Sequence, residues 1–270
     1  MSPIALEDFQ LDFDTPTDPA LQVWFTQLDY GLRSVLGMAG EQASAGLLDL
    51  ASCRLALIHP DRIEYAASVA KIGILLAFFA LNHSSNANLP PEALHDLGLM
   101  IKSSSNSMAA KYSRALGLVR IQSVLNDLGF YDRQHGGGLW VGKHYGQGSE
   151  RIGDPIADHS HAATVRQVLR FYLLMEQGRL VSRAASRAMR DIFLSPAIPH
   201  DPIKFVKSLE GQPVVILRKW GSWEDWLHDS ALVQGPGRHY ILVALTRHPE
   251  GDAYLERIAT AVDRKMRESV

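Results

Sequence analysis

Three short clusters in this chain combine residue types that can perform chemistry together. The first is Ser68-Val69-Ala70-Lys71. A serine hydroxyl is a weak nucleophile at neutral pH and needs a base within hydrogen-bond reach. Residues i and i+3 share one face of a helix. A helix starting here therefore sets the Lys71 amine beside the Ser68 hydroxyl. The apolar run from Ile72 to Leu81 would desolvate Lys71 and favour its neutral form, the form a base requires. The positive end of the helix favours negative charge developing near Ser68. A capping serine followed by a snorkelling lysine gives the same four residues, but this pattern occurs once and at a strand-to-helix junction.

The second cluster is Ser104-Ser105-Asn106. It offers a hydroxyl to relay a proton to a leaving group and an amide to hold substrate. Ser84-Ser85-Asn86 has the same pattern, but it follows the Ser68 helix and lies about four turns from Ser68. The third is Lys219-Trp220-Gly221-Ser222, at the end of the apolar strand Val214–Leu217. Lys219 would supply a fixed positive charge at a cleft edge, and Gly221 would let substrate approach the backbone. The amide N–H groups of Ser68 and Ser222 would form an oxyanion hole. Lys71-Ile72-Gly73 also reads Lys-x-Gly but sits inside the helix.

Ser-x-x-Lys, Ser-x-Asn and Lys-x-Gly, in that order, resemble the motif set of class A β-lactamases and penicillin-binding proteins. Further stretches are similar to that family of penicillin-recognising serine hydrolases: Met100–Ala110, His228–Val233, Tyr240–Thr246, and Ala162–Thr164 running on to Glu176–Ser182. The likeness covers roughly residues 40–270. It implies an α+β fold: an antiparallel sheet flanked by terminal helices beside an all-helical lobe, with the active site between them. It also implies an acyl-enzyme on Ser68, Lys71 as base, Ser104 as proton relay, and Asn106, Lys219, Trp220, Gly221 and Ser222 around the substrate.

The sequence departs from the family pattern in three places. Motifs one and two are 104 − 68 = 36 positions apart, fewer than in typical class A enzymes, which suggests an open cleft. Trp220 stands where the family carries a threonine or serine that helps bind the substrate carboxylate, so an ester substrate gains weight. No clean Glu-x-x-Leu-Asn occurs within 129–160. That leaves Glu150, preferred by position, or Asp154 to activate the deacylating water. If neither is placed to do so, the acyl-enzyme would form quickly and hydrolyse slowly. His144, Tyr145, His159 and His161 could line the same loop, although structural or surface roles suit them better.

The elements that must position these groups follow from periodicity. Helices are expected over 18–36, 68–82, 90–102, 107–116, 118–128, 161–178, 183–194 and 252–268. Strands are expected over 43–48, 53–58, 62–65, 214–221, 228–234 and 238–246, the last two joined by Gly235-Pro236-Gly237. Residues 129–160 hold eight glycines with little periodicity; a loop of that length is usually functional. Residues 1–66 and 205–270 are expected to share the sheet, with 67–204 as the helical lobe. Cys53 is expected in the core of the second strand.

Formal charge is −2, with 46% hydrophobic and 21% charged residues. That is the range of globular domains and has no basic excess for nucleic acid. No metal-ligand spacing or phosphate loop occurs, so no cofactor or metal is expected. The N-terminal ten residues lack a charged and apolar leader and the longest apolar run is too short to span a bilayer, so a cytoplasmic location without membrane attachment is expected. The resemblance implies a small-molecule lactam, ester or amide as the partner. No oligomeric state follows from the sequence. Competing readings are an esterase with little β-lactam turnover, a D,D-peptidase, a glutaminase-like amidase, and a non-catalytic binding or sensor homologue.

Overall fold

The computed structural model describes residues 5–82, 88–146, 148 and 150–268. Ser84-Ser85-Asn86 and the first four residues therefore lie outside the described residues. In chain order the elements are α1 (Pro19–Leu36), β1 (Ala43–Asp49), β2 (Arg54–Ile58), β3 (Glu64–Tyr65), α2 (Lys71–Asn82), α3 (Pro91–Ile101), α4 (Asn106–Leu116) and α5 (Leu118–Asp127). Then come β4 (Tyr131–Asp132), β5 (Gly137–Gly138), β6 (Trp140–Val141), β7 (His161–Ala163), α6 (Val165–Glu176) and α7 (Arg183–Leu194). The chain ends with α8 (Lys204–Ser208), β8 (Val215–Arg218), β9 (Gly221–Trp223), β10 (Trp226–Gly235), β11 (Arg238–Arg247) and α9 (Gly251–Arg267).

The helix starts follow local chemistry. Asp18 caps α1 by accepting from Leu21 N, Pro19 opens its first turn, and Gly37 in the left-handed region closes it. Ser105, Thr164 and Ser182 cap α4, α6 and α7 in the same way.

The main sheet runs β2-β1-β11-β10-β8, with β9 also on β10. Its strands come from both ends of the chain and pair antiparallel. Alternation on β1 sends Ala43, Ala45 and Leu47 into one core with Phe25 of α1 and Tyr254, Leu255 and Ile258 of α9. Leu48 faces a second core that holds most of α2, α5, α6 and α7. Gly46 allows α6 to lie against the sheet: a Cβ there would stand 2.6 Å from both Val165 and Leu169. From Lys71 to Phe79, α2 is buried on every side, as its unbroken apolar run requires.

Several elements differ from expectation. Residues 161–163 are a strand between β3 and β6, and the helix begins only at Val165, after its Thr164 cap. The loop 129–160 contains β4, β5 and β6, two-residue strands too short to carry a period. The turn at Lys219-Trp220 interrupts the expected strand 214–221, although both halves keep register with β10. Cys53 lies in the turn before β2 at φ 55°, half-buried, because Asp49, Ser52 and Arg54 tie that turn together.

Candidate active site

A cleft of about 390 Å³ is lined by Ser68, Asn106, Tyr145, His161, Ser222 and Trp223, among others. These residues come from the turn before α2, the start of α4, the loop after β6, β7 and β9. The first two turns toward the cleft carry backbone strain. Ala67, before the serine, has φ 47°, and Ser104 itself has φ 56°, in a region that non-glycine residues rarely occupy.

Ser68 lies in a 3-10 turn over Ala67–Ala70, with Lys71 opening the α-helix. Gly221 packs against this turn. A Cβ at 221 would stand 2.9 Å from both Ala66 O and Ser68 N and 3.0 Å from Val69 N. The glycine thus lets the serine turn, rather than substrate, come close.

Lys71 is fully buried. Its Nζ donates to the Ser104 carbonyl, to Ser104 Oγ at 3.2 Å and to Asn106 Oδ1 at 2.8 Å. It also sits over the Tyr145 ring, 4.6 Å from the centroid. Among the described residues no carboxylate faces it, and burial alone lowers its pKa to about 7. Its recorded hydrogen bonds go to the second motif and none goes to Ser68, so the expected side-by-side pair with Ser68 is replaced by a three-point anchor on Ser104 and Asn106. Three acceptors suit an ammonium. When Lys71 is neutral, one contact must reverse, and the rotatable Ser104 hydroxyl can donate to the amine instead.

Lys219 is also fully buried. Its Nζ donates to Ser104 Oγ at 2.9 Å and to the Trp220 carbonyl at 2.7 Å. Burial, followed by repulsion from Lys71, pushes its pKa well below 10.5. Two lysines thus converge on one hydroxyl. The Trp220 ring lies beside Lys219 and Lys204, each Nζ 5.2 Å from its centroid. Trp220 does not line the cleft; it packs against two cations.

The expected deacylation carboxylates lie elsewhere. Glu150 is exposed and outside the cleft lining. Position in the chain favoured it, but the loop turns its side chain outward. Asp154 is buried as a loop clamp that accepts from Ile156 N, Ala157 N, His159 N and Tyr131 Oη. Among the described residues no Asp or Glu lines the cleft. His161 does, its ring tilted 37° against that of Tyr145 with centroids 4.3 Å apart; burial lowers its pKa to about 4, so it is neutral at pH 7. His144 also lines the cleft, its Nδ1 2.9 Å from Ser113 Oγ. His159 borders an adjoining hollow with Tyr65, Trp223 and Trp226.

Sequence reasoning missed Lys204, which is buried and bonded to β9; an isolated lysine that opens a five-residue helix gives no signal. It also undervalued Tyr145, whose hydroxyl donates to Ala67 O at 3.0 Å. No group of three or more His, Cys, Asp or Glu among the described residues could hold a metal ion. No helix among them is long and apolar enough to cross a membrane.

This chain belongs to the beta-lactamase enzyme family, whose model matches residues 91–265, and it has the β-lactamase/transpeptidase-like fold. It is 26% identical over 268 residues to a Mycobacterium tuberculosis protein named "Putative lipoprotein LppW", covering 93% of this chain and 79% of the relative. Among solved structures it is similar to a β-lactamase from Desulfarculus baarsii, with TM-score 0.72 and 12% identity over 91% of this chain and 98% of that one. It is also similar to PBP-A, with TM-score 0.69 and 17% identity over 94% and 99% of the two chains. A mutant of PBP-A, solved as an acyl-enzyme complex with penicillin G, aligns with TM-score 0.66 and 17% identity over 90% of this chain and 97% of that one.

Proposed function

We propose that this chain is a serine hydrolase that opens a lactam, ester or amide through an acyl-enzyme on Ser68, and that it releases the acyl group slowly. The observation that carries the reading is the convergence of Lys71 and Lys219 on Ser104 Oγ, behind a cleft shared by Ser68, Asn106 and Ser222.

In the proposed cycle neutral Lys71 takes the Ser68 proton as Oγ bonds to the substrate carbonyl carbon. The carbonyl electron pair moves to oxygen, facing the N–H groups of Ser68 and Ser222. Collapse of this intermediate breaks the bond to the leaving group. Ser104, whose lone pairs face the two lysines, passes its proton to the departing atom and takes in exchange the proton that Lys71 received from Ser68, which leaves Lys71 neutral again. Asn106 and the positive charge of Lys219 hold the substrate. A lysine with pKa about 7 is near the optimum for a base at neutral pH.

Deacylation has no carboxylate in the cleft lining to activate water, which supports slow release and gives weight to a second reading as a penicillin-binding or sensing homologue. The acyl-enzyme form of the PBP-A mutant fits either. The mycobacterial relatives' name supports an envelope location over the cytoplasmic one expected from the N-terminus; fractionation of cells making the full-length protein tests it. Function is tested with nitrocefin and p-nitrophenyl esters. Turnover or a stable adduct that disappears in Ser68→Ala supports the proposal, and turnover retained in that variant rejects it.

A further inference from the structure

Lys204 is a third buried lysine beside the cleft, and none of the three motifs contains it. It opens the five-residue helix α8 with φ 54°, a backbone state that non-glycine residues hold only when their surroundings impose it. Its Nζ donates to Gly221 O at 2.8 Å, to Ser222 Oγ at 2.6 Å and to His228 O at 3.3 Å. The Trp220 ring lies 5.2 Å from it. Two carboxylates act on it: the buried Asp229, whose attraction is the larger, and Asp252, 3.6 Å away and about half exposed. Burial lowers its pKa, so the site holds a cation at a cost that the three acceptors and the indole offset.

The Gly221 carbonyl and the Ser222 N–H belong to one peptide unit. No cis peptide bond occurs among the described residues, and in a trans peptide the C=O and N–H point in opposite directions. An ammonium on the carbonyl oxygen therefore draws electron density from the amide and strengthens the N–H on the other side as a donor. That peptide is held beside the Ser68 turn, because Gly221 packs on Ser68 N, and Ser222 shares the cleft with Ser68.

We propose that Lys204 is a positioning residue of the acyl-transfer site: by holding Gly221 O and Ser222 Oγ it fixes and polarises the peptide whose N–H receives the oxyanion. The inference rests on the acyl-transfer reading above.

The test compares Ser68 acylation by a p-nitrophenyl ester and by the matching thionoester, whose sulfur is a poor acceptor for N–H donors. Lys204→Met should slow ester acylation about tenfold and thionoester acylation less than about twofold, narrowing the ratio; loss of one full oxyanion donor costs about 10²–10³ in rate. A merely structural lysine would slow both substrates alike and leave the ratio unchanged, which would overturn the proposal. Should Lys204→Met fail to fold, Ser222→Ala, at an exposed position, removes one anchor of the ammonium and should narrow the ratio about threefold; no narrowing there also overturns it. A wild-type protein that forms no adduct on Ser68 sinks the acyl-transfer reading itself, an outcome separate from an unchanged ratio in a protein that does acylate.

Discussion

The two walls of the cleft are built for different tasks. The wall formed by α2, the start of α4 and β9 is dense with buried cations. Lys71, Lys204 and Lys219 are all enclosed, and each is anchored on carbonyls, hydroxyls or an amide. The facing wall, from Lys143 to Gly146 and across β7, presents aromatic and imidazole groups and, among the described residues, no carboxylate. Burial that brings the Lys71 pKa down to about 7 suits proton abstraction from a serine. A wall without an anionic base gives water no comparable activation. On the proposed reading, the contrast is that of a cleft equipped for the first half of an acyl-transfer cycle and weakly supported in the second.

Removing the nucleophile is the strongest way to break this comparison. Ser68→Ala should lower acylation by at least about 10³-fold, read as loss of the covalent adduct in intact-protein mass spectrometry. Lys71 comes next. Its pKa is lowered to about 7 by burial, and in the proposed cycle the neutral amine is the active form. Acylation should therefore rise with pH through about 7 and level off above it, and Lys71→Met should lose both that limb and about 10²-fold or more in rate. A profile flat between pH 5 and 9 in the unaltered protein would remove Lys71 as the base.

The facing wall is tested by adding what it lacks. His144→Glu places a carboxylate at a cleft-lining position and should shorten the acyl-enzyme lifetime about tenfold while changing acylation less. Asp154→Ala separates loop structure from chemistry. It leaves three backbone N–H groups and the Tyr131 hydroxyl without their acceptor. The expected cost is about 3 kcal/mol, seen as a fall in Tm of about 6–10 °C. The smallest effect belongs to Glu150→Gln, at an exposed position off the cleft, which should leave acylation and release within about twofold of the unaltered protein.

Much of the main sheet and the longer helices was legible because their patterns are local. The all-apolar α2 and the capped helices α1 and α4 carry their own signals, and the strands β1, β10 and β11 are each at least seven residues long with apolar stretches such as Ala231–Val233 and Tyr240–Leu245. The brief strand expected at 62–65 is present as β3, but the two- and three-residue strands β4 to β7 were not legible: no period fits in so few residues, and β6 and β7 are held by pairing across the loop, such as Ala162 opposite Trp140. The motifs brought Ser68, Lys71, Ser104, Asn106 and Lys219 to notice, but spacing on a helix placed Lys71 beside Ser68, whereas tertiary packing ties it to Ser104 and Asn106. Glu150 was favoured by position alone, and position does not say which way a loop side chain points. Lys204 was invisible because its burial depends on Gly221, Ser222 and His228, 17–24 residues away.

The central claim is most directly tested by the time course of intact mass after mixing the protein with penicillin G or an activated ester, with peptide mapping of any adduct. An adduct on Ser68 that forms quickly and persists long after free ligand is removed is the expected result. No adduct on Ser68, or an adduct that clears as fast as it forms, would contradict the account.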